Sequence, residues 1–127
     1  MNLDKVIFGF FIVLALTLNL AFVIGPIDNP DNHNVWILFA TIVVNLIATI
    51  LKFGDRSQIG ALLLATGLVA DLQLVVCASI WTIAVYGTQS GLSATALASI
   101  VSIASGALAA NFVSVTLVVA DTLASRR

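Results

Sequence analysis

Residues 59–86 read IGALLLATGLVADLQLVVCASIWTIAVY, a run of 28 positions in which Asp71 is the sole charged side chain. A helix needs about 20 apolar residues to cross a hydrocarbon core about 30 Å thick. This run exceeds that length, and its order sets the reading of the rest. Just upstream, Gly54 to Gln58 (GDRSQ) is a short polar link. Asp55 followed three residues later by Gln58 resembles a capping box, so a new helix is expected at residue 58. A link this short makes the flanking helices an antiparallel hairpin. Before it lies the apolar run Val35 to Phe53, preceded by the polar segment Asp28 to Asn34 and by Gly25-Pro26, which closes the first run, Val6 to Ile24. Downstream, Gly87 to Ser93 makes a turn with Ser93 as the expected N-cap, and the last run extends from Ala94 to Ala124. The expected fold is all-α: one integral membrane bundle of four transmembrane helices over 6–24, 35–53, 58–86 and 94–124.

Composition agrees. Of 127 residues, 61% are hydrophobic and 9% charged, and mean hydropathy is +1.15. A soluble domain typically carries about 25% charged residues. The net charge of −1 and the lack of a basic cluster exclude a nucleic-acid partner, which needs a dense cationic face. Cys77 is the single cysteine; it forms no disulfide within the chain and reads as a small buried hydrophobe. Lys5 before an apolar run also opens signal peptides. Val6 to Ile24 is longer than the roughly 7–15 residues of a signal core, so a retained span is expected.

The basic residues are Lys5, Lys52, Arg56, Arg126 and Arg127. Four spans put all five on one side, while the opposite loops hold Asp28 and Asp31 and no Lys or Arg. The positive-inside rule then places both termini in the cytoplasm, with Trp36, Trp81 and Tyr86 near the other interface. The third and fourth helices reach about 40–45 Å, so they are expected to tilt or protrude.

Asp71 lies about 13 residues, or roughly 19 Å, into its helix, near the expected midplane. A carboxylate there costs on the order of 2.5–3.5 kcal/mol on insertion scales. Three outcomes are open: it is protonated and bonded to polar neighbours, it faces water or a cation, or it pairs with a basic group of another chain. Thr41, Asn45 and Thr49 form one stripe at spacing four. Asn111 and Ser114 in the fourth helix, Thr17 and Asn19 in the first, and Thr66 and Gln73 in the third complete the polar set. Asp71 and Gln73 stand about 200° apart, so the third helix needs polar neighbours on two sides. Ser102, Gly106 and Ala110, at spacing four, permit close helix packing, within the chain or between copies. Ser105-Gly106 is a candidate kink.

Asp121, near the basic end, reads as an interfacial ion pair with Arg126, Arg127 or Lys52, or as a vestibule charge that concentrates cations. Asp28, Asp31 and His33 match no metal motif and read as a solvated turn. The lone histidine excludes a bis-histidine haem, ligands for zinc or di-iron are lacking, and no serine has a base at matching depth. No enzyme activity and no cofactor is expected. Rotary-ring subunits carry glycines that the first helix lacks, and small multidrug exporters carry a glutamate, a residue type absent here.

The stretches Val6 to Asn19 and Leu51 to Leu74 carry Phe53, Gly54, Asp55, Arg56, Gln58, Ile59 and Gly60, then Asp71, Leu72 and Gln73. They resemble an uncharacterised family of small bacterial inner-membrane proteins. The resemblance implies a multi-pass place in that membrane and no activity. The residues themselves lead to an expected homo-oligomeric channel or transporter subunit for a small cation or proton. In it Asp71 handles the ion, and Asn45, Asn111 and Gln73 support it. The competing expectation is an accessory subunit packed against a larger membrane complex.

Overall fold

Glycines and hydroxyl caps decide where the helices stop. The computed structural model describes residues 3–26 and 33–125, and within them the chain forms α1 (Leu3–Val23), α2 (Val35–Lys52), α3 (Gln58–Gly87) and α4 (Ala94–Ser125). Asp28, Asp31, Arg126 and Arg127 lie outside the described residues, and with them part of the expected charge asymmetry. α1 starts before Val6, with Asp4 in the first turn, where a carboxylate suits the positive end of the helix. α2 ends at Lys52 with Phe53 as its C-cap, and Gly54 turns the chain at φ +88°, a conformation that favours glycine. The N-cap of α3 is Ser57 rather than Asp55: the Ser57 hydroxyl accepts from the Gly60 N–H at 3.0 Å. Asp55 instead accepts from the backbone N–H (3.0 Å) and the hydroxyl (2.7 Å) of Ser57, so it braces the cap from outside the helix. Its carboxyl folds over Gly60, where a Cβ would have no room. Ser93 caps α4 as expected, accepting from the Ala96 N–H at 3.0 Å.

Packing partners run round a ring, α1 to α2 to α3 to α4 and back to α1. Lys5, Lys52, Asp55 and Asp121 line one hollow, so the start of α1, the end of α2, the start of α3 and the end of α4 share one end of an up-down bundle. The core has two parts. Phe22, Leu38, Leu74 and Ile100 pack with Ala70, Cys77, Ala104 and Ala107 in the half away from that basic end. Phe8, Ile12, Ala48 and Leu63 fill the half near it.

Size is distributed inside-out. Phe10, Phe39, Leu46, Leu68, Leu72, Ile83 and Phe112 point outward, while Asn19, Thr41, Asn45, Asp71, Asn111 and Ser114 are buried. Water penalises such a surface; hydrocarbon does not, and small or polar residues then make the helix contacts. All four helices are long and apolar enough to cross a membrane. Trp36 and Tyr86 are 75% and 84% exposed. Trp81, beside the last turn of α1, is half-buried instead, packed on the core with its ring 6.4 Å from that of Phe22.

Candidate functional site

Residues at spacing four share a helix face, and Thr41, Asn45 and Thr49 put theirs into the bundle. Each donates to the carbonyl one turn back: Thr41 to Ile37 (2.7 Å), Asn45 to Thr41 (3.0 Å) and Thr49 to Asn45 (2.9 Å). Thr49 Oγ1 also lies 2.6 Å from Asp71 Oδ2 across the α2–α3 contact. The approach is possible because the residue one turn before Asp71 is Gly67; a Cβ there would stand 2.8 Å from Thr49 Oγ1. Asp71 is 7% exposed, and its Oδ1 is enclosed without a partner among the described residues. The ion pair found there, Lys52 with Asp55 at 3.6 Å, does not involve Asp71.

Counting protons sharpens the chemistry. The Thr49 hydroxyl owns one hydrogen, yet two acceptor oxygens lie within bonding distance. Both contacts are satisfied at once when the carboxyl carries its own proton and donates to Thr49, which then donates to Asn45. Depth is also refined. Asp71 is about 19 Å along α3, but its partner Thr49 is only three residues, about 5 Å, from the last residue of α2. The 30-residue α3 runs alongside an 18-residue α2, so the carboxyl sits closer to the basic end than counting along α3 implies.

The expected supports do not all gather here. Asn45 contributes its backbone carbonyl to the Thr49 contact. Gln73 faces the other way, as the 200° separation requires, and lies over Gly106 of α4: a Cβ on Gly106 would come 2.8 Å from Gln73 Nε2. Its Oε1 is enclosed and unpartnered among the described residues. Asn111 belongs to a third place, the α1–α4 contact. With the Asn19 amide oriented by its neighbours, its nitrogen donates to the Ala104 carbonyl (3.1 Å). Its oxygen accepts from Asn111 Nδ2 (3.2 Å) and the Leu108 N–H (3.0 Å). Thr66 and Ser114 share a 2.6 Å hydroxyl contact between α3 and α4. The buried stripe of α4 is Ile100, Ala104, Ala107, Asn111 and Ser114. Of the proposed packing residues, Ser102 faces outward, and Gly106 and Ala110 are half-buried.

At the basic end a hollow of about 330 Å³ is lined by Lys5, Lys52, Asp55 and Asp121 among others. Lys52 pairs with Asp55 rather than with Asp121, and its ammonium lies 4.1 Å over the Phe8 ring. The Ser57 hydroxyl and N–H, with Lys52 adding less, hold the Asp55 carboxyl below its ordinary value. At the other end His33 corrects the solvated-turn reading. It is 1% exposed. Nδ1 lies 2.6 Å from the Phe22 carbonyl and Nε2 2.8 Å from that of Pro26. Phe22 is in the last turn of α1, where carbonyls lack helical partners, so His33 is a side-chain cap for α1.

The family pattern described as "Family of unknown function (DUF6394)" matches residues 32–122. The chain belongs to DUF6394. The DUF6394 match takes in α2, α3 and nearly all of α4, and so Asn45, Thr49, Gly67, Asp71 and Asn111; α1, with Phe8 and Asn19, precedes it. This accords with the resemblance to an uncharacterised family. No curated protein and no solved structure matches the chain.

Proposed function

We propose that this DUF6394 protein is a homo-oligomeric channel or transporter subunit of the bacterial inner membrane, with both termini in the cytoplasm. It would pass a small cation or a proton, and Asp71 would be the group that handles it. One observation carries the reading: a carboxyl held by a single hydroxyl, its second oxygen enclosed and unpartnered, with no basic side chain against it among the described residues. Buried ionisable groups of this kind are costly in a bilayer and mark ion or proton paths by default. Between cation and proton, the geometry favours the proton. The seam beside Thr49 has no room for a water, whereas a metal cation needs several oxygen ligands. Reconstitution into liposomes with an internal pH dye tests this. Wild type is expected to conduct and Asp71→Asn to fall to the empty-liposome rate; equal flux from both removes Asp71 from the mechanism, and no flux from either removes the class.

A second reading has its own observation. Ser102 faces outward on α4, on a helix face where small residues permit close approach. A hydroxyl turned toward hydrocarbon is better placed against another helix. A second copy supplies that helix in the first reading; a larger transport or respiratory complex supplies it if the chain is an accessory subunit. Purification in a mild detergent separates the two: one component in a symmetric oligomer, or a stoichiometric larger partner.

A further inference from the structure

Two neighbouring spaces near the basic end share a wall. The outer one is the hollow of about 330 Å³ whose rim holds two ammonium groups, Lys5 and Lys52, and two carboxylates, Asp55 and Asp121. With two charges of each sign it selects for neither cations nor anions, which suits an entry for solvent better than a store of ions. The inner space is the seam along Asn45, Thr49 and Gly67 that leads to the Asp71 contact, and it is too small for a single water. Phe8 and Leu63 line both spaces. They are an apolar partition between the charged hollow and the hydroxyl that holds Asp71. Phe8 is itself held, since the Lys52 ammonium lies over its ring at 4.1 Å and is in turn paired with Asp55 at 3.6 Å.

We propose that the charged hollow is the aqueous entry to Asp71, that Phe8 and Leu63 are its closing partition, and that Lys52 keeps Phe8 in the closed position. The inference rests on the reading of Asp71 as the proton-handling group and adds the side of access and the residues that control it. A dry partition is needed in such a device because a permanently wet line to the carboxyl would leak. A cation over an aromatic face is a weak hold, and a side chain can swing without unfolding its helix, so the partition opens with no change in the bundle. The short distance from Thr49 to the end of α2 makes this end the near approach.

The test labels a thiol placed behind the partition. Ala48→Cys, made in a Cys77→Ala background and held in lipid nanodiscs, is exposed to a small cationic thiosulfonate. Slow labelling is expected in this parent, a rate about ten-fold or more higher with Phe8→Ala, and a smaller rise with Lys52→Gln. Lys52→Gln leaves Phe8 and Leu63 in place, so a folding defect in Phe8→Ala does not decide the outcome. A parent that labels as fast as Phe8→Ala overturns the proposal, and so does the absence of any rise in both variants. Labelling needs no transport. A rise therefore upholds the entry even where Asp71→Asn leaves flux unchanged, a result that overturns only the reading of Asp71.

Discussion

Two buried polar contacts on opposite sides of the bundle solve the same problem differently. Between α1 and α4, Asn19 is bonded at both ends of its amide: its nitrogen donates to the Ala104 carbonyl, and its oxygen accepts from Asn111 and Leu108. Between α2 and α3, Asp71 has one hydroxyl for a partner and an enclosed oxygen with none. The first contact joins two helices through neutral amides and leaves over one uncharged oxygen, Asn111 Oδ1, without a partner among the described residues. The second keeps a titratable group in a place where its charge has no answer among the described residues. A neutral amide, even with one oxygen unpaired, can serve packing alone; a carboxyl can take up and release a proton, and that is the reason to assign it function.

The comparison breaks if the two sites respond alike. The largest expected effect is on transport: Asp71→Asn, nearly the same size, lowers proton flux by about 100-fold or more while circular dichroism and the oligomeric state stay unchanged. Next is Gly67→Ala. Its methyl would meet Thr49 Oγ1, so the hydroxyl must leave the carboxyl; flux should fall and stability drop by about 1–3 kcal/mol. His33→Ala, which strips the cap from α1, is expected to cost about 1–2 kcal/mol in thermal or denaturant unfolding, with flux per folded protein retained. Asn19→Ala should cost about 1 kcal/mol and leave flux intact: the Ala104 carbonyl and Leu108 N–H are four residues apart and can pair with each other, and only the Asn111 amide loses its partner. Loss of flux in Asn19→Ala would erase the distinction drawn between the two contacts.

The smallest effect concerns pH. Asp55 is held below its ordinary value mainly by Ser57, so its native form binds a proton less readily than the unfolded chain does. Its support of the α2–α3 turn is complete above the ordinary aspartate range and is lost as pH falls through the lowered native value. The melting temperature should therefore decline on acidification from about pH 6 to about pH 3, and Asp55→Asn should flatten that decline.

The helices were legible because apolar runs and their punctuation act locally: Gly54, Ser57 and Ser93 end or begin helices by their own chemistry. Asp71 was legible because a charge in an apolar run stands out wherever it packs. Its partner was only half legible. The Thr41-Asn45-Thr49 stripe marks a face of α2, but nothing in the sequence sets the axial slide between α2 and α3 that brings Thr49, rather than Asn45, level with Asp71. The buried face of α4 was hidden for another reason. Ala, Ser and Gly occur all round that helix, so small-residue spacing carries no phase, and Ser102 turned outward while Ala104 and Ala107 turned in. His33 gave no periodic signal at all; its role depends on a tertiary contact with the carbonyls at the end of α1.

The central claim is that Asp71 is an enclosed carboxyl that holds a proton and passes it on. An apolar carbodiimide tests it most directly, since the reagent enters through lipid and adds to a carboxyl that carries its proton. Treated protein is expected to show the adduct on Asp71 by peptide mass spectrometry, with flux lost in proportion and both effects absent from Asp71→Asn. Adducts confined to Asp4, Asp55 and Asp121, or full modification of Asp71 with flux unchanged, would contradict the account.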